Sequence, residues 1–349
     1  EQIVAHRVTR LLFGHVGPVE IGSPLAGHAV ALTLFGGLGI AGFSVVKRRI
    51  ERGGDVVEAA YPDNPTSPWV TAGPRSVVDF DTIGKEGRRF VLMALTPAEI
   101  EDVMGEEAIE PVRVVAGYES AKSTEERAEL CLREMLAVGA YERSLICVAS
   151  PTGVGYVSYV FAESLEYLTR GDCAIVMPQY ALVPSALALG DTGEGAELQR
   201  LVLAGIKEHI AGMPADRRPT VVQFGESLGA QVALDIAFPD GSHMFDQLGV
   251  DAGLYMGVPF RTDSWNTWIH HRDVYDPEGR MVAISQPEAL SEIGQERVAA
   301  MRHLMVVHHD DPVNKFGYRQ VVRPPWWMGR PDTRPPKVPS TASWRIRSR

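Results

Sequence analysis

The residues from Gly225 to Gly229 read Gly-Glu-Ser-Leu-Gly, a pattern that can present a serine nucleophile at a sharp turn. A short apolar run over 221–224 precedes them, and residues 230–237 have the apolar spacing of a helix. In such a nucleophile elbow the serine occupies a strained turn between strand and helix, and small neighbours prevent collisions with nearby backbone. The alternative is a glycine-rich turn without chemistry. We predict Ser227 as the nucleophile, within an elbow completed by Gly225, Glu226 and Gly229.

The elements around this serine must position it, and their patterns predict the fold class. Strands are predicted over 89–95, 111–116, 144–149, 173–177, 220–224, 248–256 and 303–307. Helices are predicted over 124–138, 157–168, 194–211 and 227–237, and residues 259–302 are expected to be a long irregular excursion. Apolar strands that alternate with helices imply a mostly parallel sheet with helices on both faces. We therefore predict an α/β-hydrolase fold, preceded by a transmembrane helix. Its chemistry should lie at the carboxyl ends of the strands.

The loop over 150–155, Ser-Pro-Thr-Gly-Val-Gly, follows the strand predicted two strands before the nucleophile strand along the chain. In this fold such a loop supplies one N–H of the oxyanion hole, and the residue after the serine, here Leu228, supplies the other. Thr152 or Gly153 is the candidate partner of Leu228. A tight turn without function is the alternative for this loop.

The run His308-His309-Asp310-Asp311-Pro312-Val313 follows the strand predicted over 303–307. An acid that orients the catalytic histidine is expected at this place, and Asp311 is the candidate, with Asp310 as the alternative. The histidine should then follow the acid, but no histidine follows His309 in this sequence. Either the triad is rewired, or its base lies beyond the end of the chain given. The histidines His243, His270, His271, His308 and His309 all precede Asp311, and each would need an unusual geometry to reach Ser227. Among them we name His308 as the catalytic candidate. A metal site is not expected, because neighbouring residues of a strand point to opposite faces.

Composition excludes several other classes of function. A net charge of −10 and a pI near 5.5 leave no basic face for a nucleic-acid backbone, so no nucleic-acid partner is expected. The cysteines Cys131, Cys147 and Cys173 are widely spaced in apolar patterns, which suits neither a disulfide framework nor a zinc site. No cofactor is implied.

Residues 23–46 carry no formal charge and are long enough to cross a bilayer. The basic residues that follow them, at Lys47, Arg48, Arg49 and Arg52, weakly favour a cytoplasmic downstream domain at the inner or plasma membrane. The alternative is a buried apolar helix of a soluble domain. The predicted organisation is an N-terminal segment over 1–52, a linker and loop over 53–86, and a hydrolase domain over 87–322. A proline-rich basic tail, interrupted at its end, occupies 323–349. Because the chain opens with Glu1, we expect a fragment or a processed form.

Several segments, taken together and in order, resemble a family of bacterial membrane-attached α/β-hydrolases that carry a multi-span membrane region before the hydrolase domain. The segments that carry the resemblance are AGPRSVVDFDTIGKEGRRFV, PVRVVAGYESA, ERAEL, PTGVG, GDCAIVMPQYALVPS, GESLGAQ, GVPFRTDSW, HHDDPV and PPWW. They span roughly Ala72 to Trp344. The resemblance implies serine esterase-like chemistry and membrane attachment.

The function predicted from these observations is ester hydrolysis, esterase- or lipase-like, through an acyl-enzyme on Ser227. The expected substrate is a small acyl ester or a lipid-like molecule, and transfer to an alcohol is possible where the pocket excludes water. The alternative from another class is a non-catalytic α/β-hydrolase fold that serves as a membrane-tethered binding or assembly subunit.

Overall fold

A computed structural model describes residues 61, 63–182, 188–308 and 311–315. The transmembrane helix predicted over 23–46, the tail over 323–349, and both His309 and Asp310 lie outside the described residues. In the part of the chain that is described, no helix is long and apolar enough to cross a membrane.

The core is a parallel sheet of seven strands in the order β1-β3-β2-β4-β5-β7-β6. The strands are β1 (Val112–Ala116), β2 (Leu145–Ser150), β3 (Cys173–Pro178), β4 (Thr220–Glu226), β5 (Ala252–Met256), β6 (Met281–Ile284) and β7 (His303–Val306). The nucleophile strand β4 lies between β2 and β5, so the predicted elbow opens at the middle of the sheet.

Helices cover both faces of this sheet. They are α1 (Gly84–Leu92), α2 (Pro97–Met104), α3 (Thr124–Ala137), α4 (Tyr159–Thr169), α5 (Thr192–Ala211), α6 (Leu228–Asp235), α7 (His243–Gln247), α8 (Asp263–His270), α9 (Arg272–Tyr275), α10 (Gln295–Ala300) and α11 (Pro312–Lys315). One apolar cluster joins one face of the sheet to α3, α5, α6 and α8, and a second joins the other face to α1 and α4. The mostly parallel sheet with helices on both sides, predicted from the alternating pattern, is confirmed.

Residues 89–95, predicted as a strand, instead lie mostly in α1, and this prediction was wrong. The buried positions Ile83, Gly87, Phe90 and Val91 recur at helical spacing. Gly87 permits close packing, since a Cβ there would lie 3.2 Å from Cγ1 of Val115 in β1. The signal was missed because the apolar run begins late in the helix, and a short apolar run does not distinguish a strand from a buried helical turn.

The sequence predicts a long irregular excursion over 259–302. The structure contradicts this prediction in part, because the segment contains regular elements. It contains α8, α9, α10 and strand β6, which pairs in parallel with β7 at the edge of the sheet. Trp265 and Trp268 of α8 are buried in the core beside the nucleophile helix. Helix α8 therefore extends the layer that supports the elbow.

A buried ion pair ties β1 to the helix layer on the second face. Arg113 Nε lies 2.6 Å from Glu166 Oε1, and Arg113 Nη2 lies 2.9 Å from Glu166 Oε2. The same guanidinium donates to the Phe90 carbonyl of α1 at 2.7 Å. Because both charged side chains are almost wholly shielded from solvent, this bidentate pairing is required to offset the cost of burying them.

Candidate active site

Ser227 lies between β4 and α6 with φ 55° and ψ −121°, a backbone conformation that residues with a Cβ rarely adopt. Its N–H donates to the Met256 carbonyl at the end of β5 over 2.8 Å. Its carbonyl accepts from the N–H groups of Ala230 and Gln231 in the first turn of α6. The strained residue is therefore fixed on both sides by backbone hydrogen bonds. Such strain costs free energy and persists only where the surrounding structure holds it in place, and it is typical of functional positions.

The two glycines of the elbow are required by backbone contacts. A Cβ on Gly225 would lie 2.5 Å from the Gly229 carbonyl oxygen, and a Cβ on Gly229 would lie 2.2 Å from the Ser150 carbonyl oxygen. These backbone atoms cannot move aside without shifting helix α6 or strand β2. Glu226, the last residue of β4, is half-buried and pairs in register with Met256 of β5.

The candidate oxyanion donors lie on two segments that meet at the elbow. Leu228 begins α6, and its N–H has no hydrogen-bond partner among the described residues, as expected at a helix N-terminus. The loop after β2 lies against Gly229 through the Ser150 and Pro151 carbonyls.

Thr152 and Gly153, the two alternatives for the second donor, differ in the use of their N–H groups. The Thr152 N–H donates to the Tyr156 carbonyl over 2.9 Å and closes the loop, so it is already engaged. The Gly153 N–H has no partner within the described ranges. Gly153 is therefore the better candidate of the two.

Asp311 and Ser227 both approach Gly257, the residue after β5. A Cβ on Gly257 would lie 3.4 Å from Asp311 Oδ2 and 3.9 Å from the Ser227 nitrogen. Asp311 Oδ1 accepts the Val313 N–H over 2.8 Å, which leaves Oδ2 directed toward Gly257. Sequence reasoning did not single out Gly257. A glycine directly after the strand predicted over 248–256 is the sequence signal that could have found it. In the structure its φ is 62°.

Hydrogen bonds between the segment after β5 and helix α11 hold the acid at this place. The Phe260 N–H donates to the Val313 carbonyl over 3.1 Å, and Asn314 Nδ2 donates to the Val258 carbonyl over 2.9 Å. Asn314 is fully buried, so its side chain fixes α11 against the segment after β5.

His308 is exposed and lies two residues beyond the end of β7, and its carbonyl accepts the Asp311 N–H over 3.1 Å. The backbone thus joins this histidine to the candidate acid. His243, His270 and His271 are exposed on or beside α7, α8 and α9. His303 is buried in β7, where its Nδ1 lies 3.2 Å from Tyr255 Oη.

Burial also determines the chemistry of the titratable core groups. It raises the pKa of the Cys173 thiol to about 12, and those of Cys131 and Cys147 well above their usual range. The three thiols are free and buried. No group of three or more histidine, cysteine or acidic side chains that could hold a metal ion occurs in the described part of the chain.

A parallel sheet with helices on both faces, with a strained serine on the turn after a central strand and a carboxylate after a later strand, defines the class of α/β-hydrolase-fold proteins. A sequence profile of the alpha/beta-hydrolase family matches residues 112–345, more than half of the 349 residues. The chain belongs to this family. The comparison with curated proteins and the comparison with solved structures gave no match.

Proposed function

We propose that this protein is a serine hydrolase, esterase- or lipase-like, that cleaves acyl esters through an acyl-enzyme on Ser227. The observation that carries the proposal is the strained backbone of half-buried Ser227, followed by the Leu228 N–H, which has no partner among the residues that the structure describes. A serine on the turn after a central strand, directly before a helix N-terminus, suits attack on a carbonyl whose oxygen becomes negative.

In the proposed reaction the Ser227 hydroxyl attacks the ester carbonyl carbon, and its proton passes to a histidine. The tetrahedral oxyanion is bound by the N–H groups of Leu228 and Gly153, with Thr152 as the alternative second donor. The carbon–oxygen bond to the alcohol then breaks, and the histidine gives the proton to the departing alcohol. Water cleaves the acyl-enzyme by the same sequence and restores Ser227. Asp311 orients the histidine, for which His308 is the candidate.

The test is labelling of the protein with a fluorophosphonate probe, followed by hydrolysis of p-nitrophenyl esters of increasing acyl length. We expect labelling in the wild type and its complete loss in Ser227→Ala. Ser158→Ala, a substitution at a half-buried serine before α4, serves as the matched control and should label normally. Wild-type protein that folds but neither labels nor hydrolyses any ester would exclude the hydrolase and leave a non-catalytic binding subunit.

The acid and the base are tested by Asp311→Asn and His308→Gln. Loss of a triad acid costs up to about 10⁴-fold in kcat in other serine hydrolases, and a comparable loss is expected for Asp311→Asn. A His308→Gln variant that labels at the wild-type rate would exclude His308 as the base and assign that role to another histidine.

We also propose that residues 23–46 attach the protein to a membrane, with the hydrolase domain on the cytoplasmic side. The proposal is supported by the length and lack of charge of this segment and by the basic residues that follow it. Leu34→Arg combined with Leu38→Arg should move the full chain from the membrane fraction to the soluble fraction after alkaline extraction. Unchanged partitioning would contradict the proposal.

A further inference from the structure

Gln179, the first residue after β3, joins three loops at the carboxyl edge of the sheet. Its side chain is fully buried. Its backbone N–H donates to the Ala116 carbonyl over 2.9 Å, and its Oε1 accepts the Tyr118 N–H over 3.1 Å. Its Nε2 donates to the Val154 carbonyl over 3.2 Å. Both ends of one carboxamide therefore bind backbone groups of two different loops.

The loop over 152–156 is built around this carboxamide. The Thr152 N–H donates to the Tyr156 carbonyl, and the Gly155 N–H donates to the Thr152 carbonyl over 2.8 Å. Gly155 has φ 86°, and a Cβ there would lie 1.9 Å from Gln179 Nε2. The absence of a side chain at Gly155 is therefore what allows the carboxamide to reach the loop. Gly153, whose N–H has no partner in the described part of the chain, lies inside this closed turn.

We propose that Gln179 is a positioning residue for acyl transfer at Ser227. By binding Val154 it fixes the 152–156 loop so that the Gly153 N–H, together with that of Leu228, is directed at the oxyanion. The inference rests on the proposed function. Gln179 acts through the loop and does not contact the reacting atoms. Burying an amide without hydrogen-bond partners costs free energy, so the Gln179 side chain is held in the one orientation that satisfies both of its ends. Because Val154 accepts one of these hydrogen bonds, the loop is held in place as well.

Gln179→Glu is the informative substitution, because it is nearly isosteric and removes one hydrogen bond, the one to the Val154 carbonyl. The carboxylate keeps the acceptor for the Tyr118 N–H but places an oxygen against the Val154 carbonyl, which accepts the Nε2 proton in the wild type. Misdirecting one oxyanion donor should lower kcat by about 10²-fold to 10³-fold. KM should change by less than about threefold, since the donor binds the transition state more strongly than the ester.

Gly155→Ala is a second variant, which disturbs the contact between the Gln179 carboxamide and the 152–156 loop by a change in the loop itself. Its Cβ would displace the Gln179 carboxamide, so it should reproduce the loss in kcat. Gly105→Ala is the matched control, because Gly105 also has a positive φ, 69°, but a Cβ there meets nothing within 4 Å. This control carries the backbone strain without the clash, and it should retain the wild-type kcat.

The experiment measures three quantities on folded protein: the rate of fluorophosphonate labelling, the kcat and KM for an ester, and amide hydrogen exchange over residues 152–157. Slower labelling and lower kcat at unchanged KM, with faster exchange in this loop, are expected for Gln179→Glu and Gly155→Ala. Wild-type rates in both variants, or a loss confined to KM, would overturn the positioning role while the hydrolase stands. Wild-type protein that does not label would overturn the proposed function, and with it this role.

Discussion

His303 and Asp235 are buried titratable groups whose contributions to stability change with pH in opposite directions. Burial lowers the pKa of His303 from 6.5 to about 3, and the charges of Arg280 and Arg302 act in the same direction. Burial raises the pKa of Asp235 from 3.8 to about 7, an effect that the Asp263 charge strengthens and the hydrogen bond from the Ser264 N–H opposes. His303 is thus neutral in the folded protein over most of the range in which the unfolded chain carries the charge.

The sign of each contribution follows from which state binds the proton. Between pH 6.5 and about 3 the unfolded chain protonates His303 and the folded protein does not. The stabilisation from this group is therefore complete above pH 6.5 and is lost as the pH falls. The folded protein keeps the Asp235 proton up to about pH 7, whereas the unfolded chain releases it near 3.8. That stabilisation is complete below 3.8 and is lost as the pH rises. Each group changes the free energy of unfolding by roughly 1.4 kcal/mol per pH unit, so the two nearly cancel.

Two conservative substitutions separate these contributions. His303→Asn keeps a polar group near Tyr255 Oη, and Asp235→Asn keeps an acceptor for the Ser264 N–H. Between about pH 4.5 and 6.0, His303→Asn should lose roughly 2 kcal/mol relative to the wild type as the pH rises, and Asp235→Asn should gain about as much. The double variant should follow the wild-type profile, because all other titrating groups are shared. Urea unfolding across this range measures the differences, and a gap between the two single variants that does not vary with pH would refute the reasoning.

Two further predictions concern the buried charges and thiols. Glu166→Gln should cost about 3 to 5 kcal/mol of unfolding free energy, because it leaves Arg113 buried without its counter-charge, and adding Arg113→Met should recover part of that loss. Urea denaturation of the single and the double variant measures both free energies of unfolding. A double variant that is less stable than Glu166→Gln alone would contradict the prediction. At pH 8 the thiols of Cys131, Cys147 and Cys173 should not react with a disulfide reagent such as DTNB in the folded protein, since burial raises their pKa values, and all should react after unfolding. Rapid reaction of any thiol in the folded protein would count against this burial.

The parts of the site that sequence predicts are those encoded within one short segment. The elbow depends on a strand, a turn and a helix that follow one another, so the pattern over 221–237 indicates its conformation, and Ser227 adopts it. Likewise, the acid is expected after a recognisable strand, and Asp311 lies there beside Gly257. The role of each residue in a reaction remains a prediction.

Other features depend on contacts between distant segments, which no local pattern encodes. The Thr152 N–H is engaged by Tyr156, so the choice between Thr152 and Gly153 needs the loop geometry. Gln179 reads as a polar residue after a strand, and its connection to Tyr118 and Val154 appears only when β1, β2 and β3 are assembled. Strand β6 was missed because its four residues form an edge strand inside a segment rich in polar residues.

The elbow is supported almost entirely by main-chain atoms: the Met256 carbonyl that accepts the Ser227 N–H, and the Ser150 carbonyl that closely approaches Gly229. Main-chain atoms are the same whichever side chains surround them. Substitutions at the exposed positions near the site, such as Met256 and Val313, can therefore alter which molecules fit without disturbing the geometry of the serine. In evolutionary terms, specificity and reactivity can diverge independently in this scaffold, so relatives that share the elbow need not share a substrate.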